Sequence, residues 1–292
     1  MSEARDQYLY VRSDGYIPRV AAVHDLCGYG KCSLGVAIPV LSAAGCDVCP
    51  VPTSLFSAHT KFPHFYMHDT TPILDEYLDA WAKEGVALDA VYSGFLGSAE
   101  QVGAIRRLYA EHPGALRVVD PVMGDGGTTY PTYTQDMCRA TATLVPGADL
   151  LIPNLTEASI LTGLPYEGQD VSDEQVSRLG AALLEMGAKN VIIKGVVRGD
   201  GMIRNYLMEA QGAGAPRAFA CELLPFMLHG TGDLYASSLL AAVMAGRGLD
   251  DAVAFAGAFV HDAMVVTRVQ PDFELRGVSF ESVLGKVTAL VA

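Results

Sequence analysis

Leu228-His-Gly-Thr-Gly-Asp233 stands immediately before an apolar, alanine-rich stretch that runs to about Ala245. Its glycines let backbone N–H groups approach a ligand closely, and the positive end of the following helix favours an anion there. The segment is an anion hole, and Asp233 at its mouth, taken alone, is as well explained as a helix cap. Asp25 follows an apolar run, Arg19-Val-Ala-Ala-Val-His24. Open α/β sheets bind ligands beyond the carboxyl ends of their strands, so Asp25 can reach a substrate; a turn or capping aspartate is the alternative. Gly28-Tyr-Gly30-Lys31-Cys32 superficially resembles two phosphate-binding loops and is neither. A Walker A loop ending at Gly30-Lys31 needs glycine where Asp25 stands and Ser or Thr where Cys32 stands, and the dinucleotide pattern needs glycine where Ser33 stands. Cys46-Asp-Val-Cys49 matches C-x-x-C, but a zinc ribbon needs a second pair at comparable spacing, and Cys27 with Cys32 does not supply it.

The elements that must position these residues follow from composition and periodicity. A chain of 292 residues fits one large α/β domain. Half the residues are hydrophobic and 18% are charged, below the roughly 25% of ordinary soluble domains, so much of the chain is expected in the interior of a layered protein. The balance of 20 basic against 33 acidic residues gives −13, which repels phosphate backbones and argues against nucleic-acid partners. No apolar leader precedes the first strand and no run reaches the roughly 18 apolar residues of a membrane span, so a cytoplasmic protein with reduced cysteines is expected.

Strands are predicted at 19–24, 47–52, 89–93, 116–120, 149–152 and 190–194. Helices are predicted at 33–44, 71–84, 98–111, 134–145, 172–186, 232–246 and 249–268. That alternation gives a three-layer α/β/α fold, a mostly parallel sheet with helices on both faces. Segments 201–209 and 217–223, split by Gln211-Gly-Ala-Gly-Ala-Pro216, read as an antiparallel pair at one sheet edge. No linker or separate lid domain is evident, so residues 1–292 form one expected domain, with 1–17 as an N-terminal extension.

Gly230-Thr-Gly-Asp233 resembles the C-terminal signature of the ribokinase-like kinases, and the likeness extends along the chain. Asp89-Ala-Val-Tyr-Ser-Gly-Phe-Leu-Gly-Ser-Ala-Glu-Gln101, Asp120-Pro-Val-Met-Gly124, Pro153-Asn-Leu-Thr-Glu157 and the stretch from His24-Asp25 through Thr60 resemble, in the same order, segments of the vitamin B6 kinase branch. The resemblance implies ATP-dependent phosphorylation of the hydroxymethyl group of pyridoxal, pyridoxine or pyridoxamine. It implies Asp233 as the base that takes the hydroxyl proton, with Gly230, Thr231 and Gly232 lending amides to the moving phosphoryl group. Asp120 and Glu157 are then candidates to hold Mg²⁺ directly or through waters, although Asn154-Leu-Thr-Glu157 also fits a plain capping box. Asn154, Lys194, Thr128 in the loop Gly124–Tyr130, and Ala218, Phe219, Ala220 and Cys221 are implied on the ATP side.

For the acceptor the resemblance points to Asp25, Thr53, Ser54, His59 and Phe95. Two departures matter: many B6 kinases have serine in place of Asp25 and tyrosine in place of Phe95. K⁺ beside Mg²⁺, and a homodimer, are further implications. The rivals are a hydroxymethylpyrimidine kinase, a non-catalytic B6-binding protein and, last, a sugar kinase, which usually carries an inserted β-lid near its start.

Overall fold

The computed structural model describes residues 7–211 and 215–292. β1 (Arg19–Cys27), α1 (Leu34–Ala43) and β2 (Asp47–Phe56) make the first β-α-β unit, with β1 and β2 parallel. β3 (Met67–Asp69) turns back antiparallel along β2. There follow α2 (Thr71–Lys83), β4 (Ala90–Ser93), α3 (Gln101–Glu111) and β5 (Leu116–Val119). A small hairpin of β6 (Gly124–Asp125) and β7 (Thr128–Thr129) precedes α4 (Gln135–Ala142), β8 (Leu150–Leu151), α5 (Leu155–Thr162), α6 (Asp173–Glu185) and β9 (Asn190–Val197). β10 (Met202–Glu209) and β11 (Arg217–Glu222) form the antiparallel edge, and α7 (Thr231–Met244) and α8 (Leu249–Thr267) pack together before the short helices α9 (Phe273–Arg276) and α10 (Gly285–Thr288).

The nine-stranded sheet runs β11-β10-β9-β8-β5-β4-β1-β2-β3. Its middle strands are buried on both faces, the reason they read as unbroken apolar runs. Val20 and Ala22 enter the core formed with α1, α7 and α8, while Ala21 and Val23, one residue out of phase, enter the core under α2, α3, α5 and α6. The order reverses at β1, which has β2 on one side and β4 on the other. A crevice at the carboxyl ends of β1 and β4 is where such sheets place ligands.

Several boundaries differ from the sequence expectation. β1 continues to Cys27, so Asp25 lies within the strand and not beyond it. α7 begins at Thr231, one residue before the expected start, and Asp233 lies in its first turn. β3 was not anticipated, because three residues, Met-His-Asp, carry no alternation and pair only because β2 offers an edge. α5 appears in no apolar-periodicity window; its capping box does announce it, with Asn154 accepting from the Glu157 amide and Glu157 accepting from the Asn154 amide. The expected turn Gln211–Pro216 includes residues outside the described ones, as does the start of the 1–17 extension. From the described part of that extension, Arg12 donates to the carbonyls of Ala44 and Gly45 at 2.8 and 3.0 Å. No helix among the described residues is long and apolar enough to cross a membrane.

Candidate active site

One cavity of about 700 Å³ opens along the carboxyl ends of the strands, within the size range of small-molecule sites. Asp25 and Cys27 reach it from β1, Asp120 from the end of β5, Asn154 and Glu157 from the start of α5, Lys194 from β9, and Gly230 to Asp233 from the start of α7. Residues far apart in the chain meet there because the parallel strands all end on the same side.

The α7 turn is built around Gly230. Its φ of 82° is open to glycine, and a Cβ there would collide with the Lys31 carbonyl oxygen. No side chain caps α7, which leaves first-turn N–H groups free for a ligand. Asp233 is not the cap: its Oδ2 accepts from the Ser33 amide at 3.0 Å. Ser33 has a φ of 50°, rare for a residue with a side chain and held only where the surroundings impose it. Burial pushes the Asp233 carboxyl up to about 7; the Ser33 N–H opposes that, the charges of Asp120 and Asp25 add to it, and the Lys194 charge opposes it.

Lys194 and Asp120 form an ion pair at 2.5 Å between side chains 11% and 1% exposed. Burial works against the Lys194 ammonium, but the charges of Asp120 and Glu157 outweigh it and hold its pKa above the usual value. The ammonium lies beside α7 as well: a Cβ built on Gly232 would be 3.8 Å from Lys194 Nζ. Asp120 uses only Oδ1 in this pair; its Oδ2 is buried with no partner, and burial raises its carboxyl. The Glu157 carboxylate already accepts from the amides of Asn154 and Met123 at 2.8 and 3.3 Å. Burial still pushes it up to about 8, with Lys194 opposing and Asp120 adding. The orphaned Asp120 oxygen, with the Glu157 carboxyl beside it, fits a hard divalent cation, which prefers oxygen donors.

The β6–β7 hairpin is fastened over this region. Asn154 Nδ2 donates to the Gly124 carbonyl at 2.9 Å, and the Gly127 amide donates to Thr156 Oγ1 at 2.9 Å. Asp125 and Tyr130 line the cavity, whereas Thr128 is exposed outside it. Along β11 exposure alternates, so Ala218 and Ala220 face solvent, Phe219 packs toward the core beside α7 and α8, and Cys221 alone of the four lines the cavity.

At the other end, Asp25, Cys27, Cys32, His59 and Phe95 line the wall together with Phe56 and His229. Burial raises the Asp25 carboxyl, against hydrogen bonds from Ser33 and Cys27. Burial also lowers His59, and it holds His229 at about 4; their ring centroids are 4.3 Å apart. Thr53 and Ser54 are fully buried behind the wall and not in it. Thr53 Oγ1 donates to the Phe95 carbonyl at 2.9 Å and Ser54 Oγ to the Thr53 carbonyl at 2.8 Å. Thr53 thereby ties down the backbone that carries Phe95. Lys31 does not enter the site: it pairs with Glu281 at 2.7 Å, in keeping with the exclusion of a P-loop.

Sequence reasoning missed His229, the apolar loop Leu223–Leu228, and Val260, His261 and Met264 on α8. His229 adjoins the glycine motif and could have been flagged. The α8 residues could not, because nothing local tells a wall of a pocket from a core face.

The arrangement combines an uncapped helix turn, a buried carboxylate near neutrality and a lysine–carboxylate pair, the parts needed to move a phosphoryl group to a hydroxyl. Residues 37–274 match the family model described as phosphomethylpyrimidine kinase. A pyridoxine/pyridoxal/pyridoxamine kinase of Bordetella avium is 32% identical over 88% of this chain and 88% of its own length. Among solved structures, a Bacteroides thetaiotaomicron protein described as a candidate phosphomethylpyrimidine kinase, in a form with pyridoxal, superposes with a TM-score of 0.87 at 34% identity over 93% of this chain and 96% of that one. The pyridoxal kinase of Lactobacillus plantarum superposes with a TM-score of 0.86 at 29% identity, covering 94% and 98%. With the ribokinase-like sheet and the sequence likeness in agreement over most of its length, the chain belongs to the phosphomethylpyrimidine kinase family, and its relatives include pyridoxal kinases.

Proposed function

We propose that this chain transfers the γ-phosphoryl group of ATP to the hydroxymethyl oxygen of a B6 vitamer, giving the 5′-phosphate and ADP. The observation that carries the reading is Asp233: a buried carboxyl at about 7, in the first turn of an uncapped helix, on the same cavity as the Lys194–Asp120 pair. Asp233 takes the hydroxyl proton as the oxygen attacks the γ-phosphorus, and the bond to the ADP oxygen breaks. The amides around Gly230, Thr231 and Gly232 stabilise the equatorial oxygens, and Lys194 offsets charge on the leaving side. Asp120 and Glu157 would hold Mg²⁺, which would neutralise phosphate charge. Asn154 and Cys221 lie on the ATP side, and K⁺ is a further expectation from the family.

Asp25, His59 and Phe95 bind the acceptor ring, with Thr53 and Ser54 supporting them from behind. We read the chain as one domain and as a homodimer in the cytoplasm; the unbroken nine-stranded sheet supports the first of these. A hydroxymethylpyrimidine acceptor is the second reading, favoured by the description of the matching family model.

The test is an ADP-release assay with Mg-ATP and pyridoxal, pyridoxine, pyridoxamine, hydroxymethylpyrimidine and ribose, run on wild type and Asp233→Ala. Vitamer-dependent turnover that falls by at least about 10²-fold in the variant is the expected result. Turnover with the pyrimidine alone overturns the substrate, and tight B6 binding without turnover overturns the enzyme.

A further inference from the structure

We propose that Asp25, Cys27 and Cys32 form a three-ligand site for a thiophilic divalent cation, Zn²⁺ by its chemistry, on the acceptor side of the cavity. One carboxylate oxygen and two sulfur atoms lie within 4.8 Å of one another, and no other such group of three converges among the described residues. All three side chains are buried, at 5%, 8% and 3% exposure, yet all three line the cavity.

The spacing Asp-x-Cys-x₄-Cys explains the convergence. Residues 25 and 27 are two apart on β1 and project to one face of the sheet. The turn at Gly28–Gly30, with Gly30 at a φ of 92°, then brings Cys32 back against them just before α1. Cys27 Sγ is 3.3 Å from Asp25 Oδ2. Zinc–sulfur and zinc–oxygen bonds of about 2.3 and 2.1 Å at a tetrahedral angle separate two ligands by about 3.6 Å, so this pair is already near the spacing a metal requires.

Three protein ligands with the fourth position open to the cavity is the pattern of an accessible zinc site and not of a closed structural one. Two thiolates select against Mg²⁺, which prefers oxygen and has the Asp120 region available. The site is separate from Cys46-Asp-Val-Cys49, where Cys46 is buried beside Arg12. A cation here occupies the wall assigned above to the acceptor ring. Zinc therefore competes with the acceptor and not with Mg-ATP, a consequence that rests on the proposed kinase reading, whereas the binding itself does not.

The experiment loads the reduced, metal-free full-length protein with Co²⁺ and measures thiolate-to-cobalt charge-transfer absorption, then measures Zn²⁺ affinity by competition with a chromophoric chelator. One equivalent per chain, with the charge-transfer band, is expected for wild type and for a Cys46→Ser/Cys49→Ser control. Cys27→Ser and Cys32→Ser each weaken binding by at least about tenfold, since even outer-shell changes cost about 10–100-fold at metal sites. No stoichiometric binding, a band that survives in the Cys27→Ser/Cys32→Ser double variant, or a band lost with Cys46 and Cys49 overturns the proposal. Should the double variant fail to fold, alkylation of wild type decides it: Zn²⁺ must protect Cys27 and Cys32 and leave Cys138 reactive, and equal labelling with and without metal overturns the site. Stoichiometric zinc that leaves the acceptor KM unchanged keeps the metal site and overturns the placement of the acceptor.

Discussion

At Asp233, burial that lifts the carboxyl from 3.8 to about 7 produces opposite pH trends in activity and stability. A base works as the carboxylate, so kcat/KM for the acceptor rises with pH through about 7, and Asp233→Asn removes the rising limb along with at least about 10²-fold of kcat. In stability the sign reverses. The folded pKa exceeds the unfolded one, so this group's contribution is full below 3.8 and is lost as pH rises through about 7. Asp233→Asn, which cannot ionise, should melt higher than wild type at pH 8 by roughly 2 °C or more, with the advantage shrinking toward pH 5; scanning fluorimetry at the two values checks it. At Asp25 the test is selectivity. A carboxylate there can pair with a protonated ring nitrogen or an exocyclic amine, so Asp25→Ser should lower kcat/KM for pyridoxamine relative to pyridoxal by about tenfold, a charge-assisted hydrogen bond contributing about 1.5–3 kcal/mol. An unchanged vitamer order would sink the idea. Both carboxylates were visible in the sequence because one closes an apolar run and the other a glycine motif; their protonation was not, since it depends on burial by residues from other elements.

The α7 turn depends on one glycine conformation. Gly230→Ala must adopt a φ near 82° and meet the Lys31 carbonyl, so the variant is expected to lose at least about 1 kcal/mol of stability and most of its turnover, because the amides it carries shift together. Urea unfolding alongside the ADP assay measures both. At α5, Asn154 both caps the helix and holds the β6–β7 hairpin through Gly124. Asn154→Ala should cost about 1 kcal/mol through the lost cap and raise the KM for ATP, as the tie to the hairpin goes with it. Caps and turns are legible because they are chemistry over three or four consecutive residues. β3 and the inward face of β11 were not: a three-residue strand has no periodicity, and which half of Arg217–Glu222 faces the cavity is set by its register against β10. Cys221 and Glu222, at the end of the strand, line the cavity, while Ala218 and Ala220 do not.

Across the whole molecule, two apolar cores on opposite faces of one sheet hold the strands whose carboxyl ends form the site. Leu240, fully buried in α7 within the core shared with α1 and α8, should cost about 2–5 kcal/mol as Leu240→Ala, measured by denaturant unfolding. The same substitution should weaken turnover less than Gly230→Ala does, because the cavity it leaves is remote from the turn. By itself the sequence determined the α/β alternation, the antiparallel edge pair, the glycine turn at α7 and the order of the motifs, since each is encoded in local periodicity or in residue types a few positions apart. Only the tertiary structure decided that Asp25, Asp120, Lys194 and Asp233 share one cavity, that Thr53 and Ser54 stand behind its wall, and that Cys27 and Cys32 close on Asp25. Those relations depend on strand order and on which side chain of each alternating pair faces inward, and both are fixed by packing between segments that can lie more than a hundred residues apart.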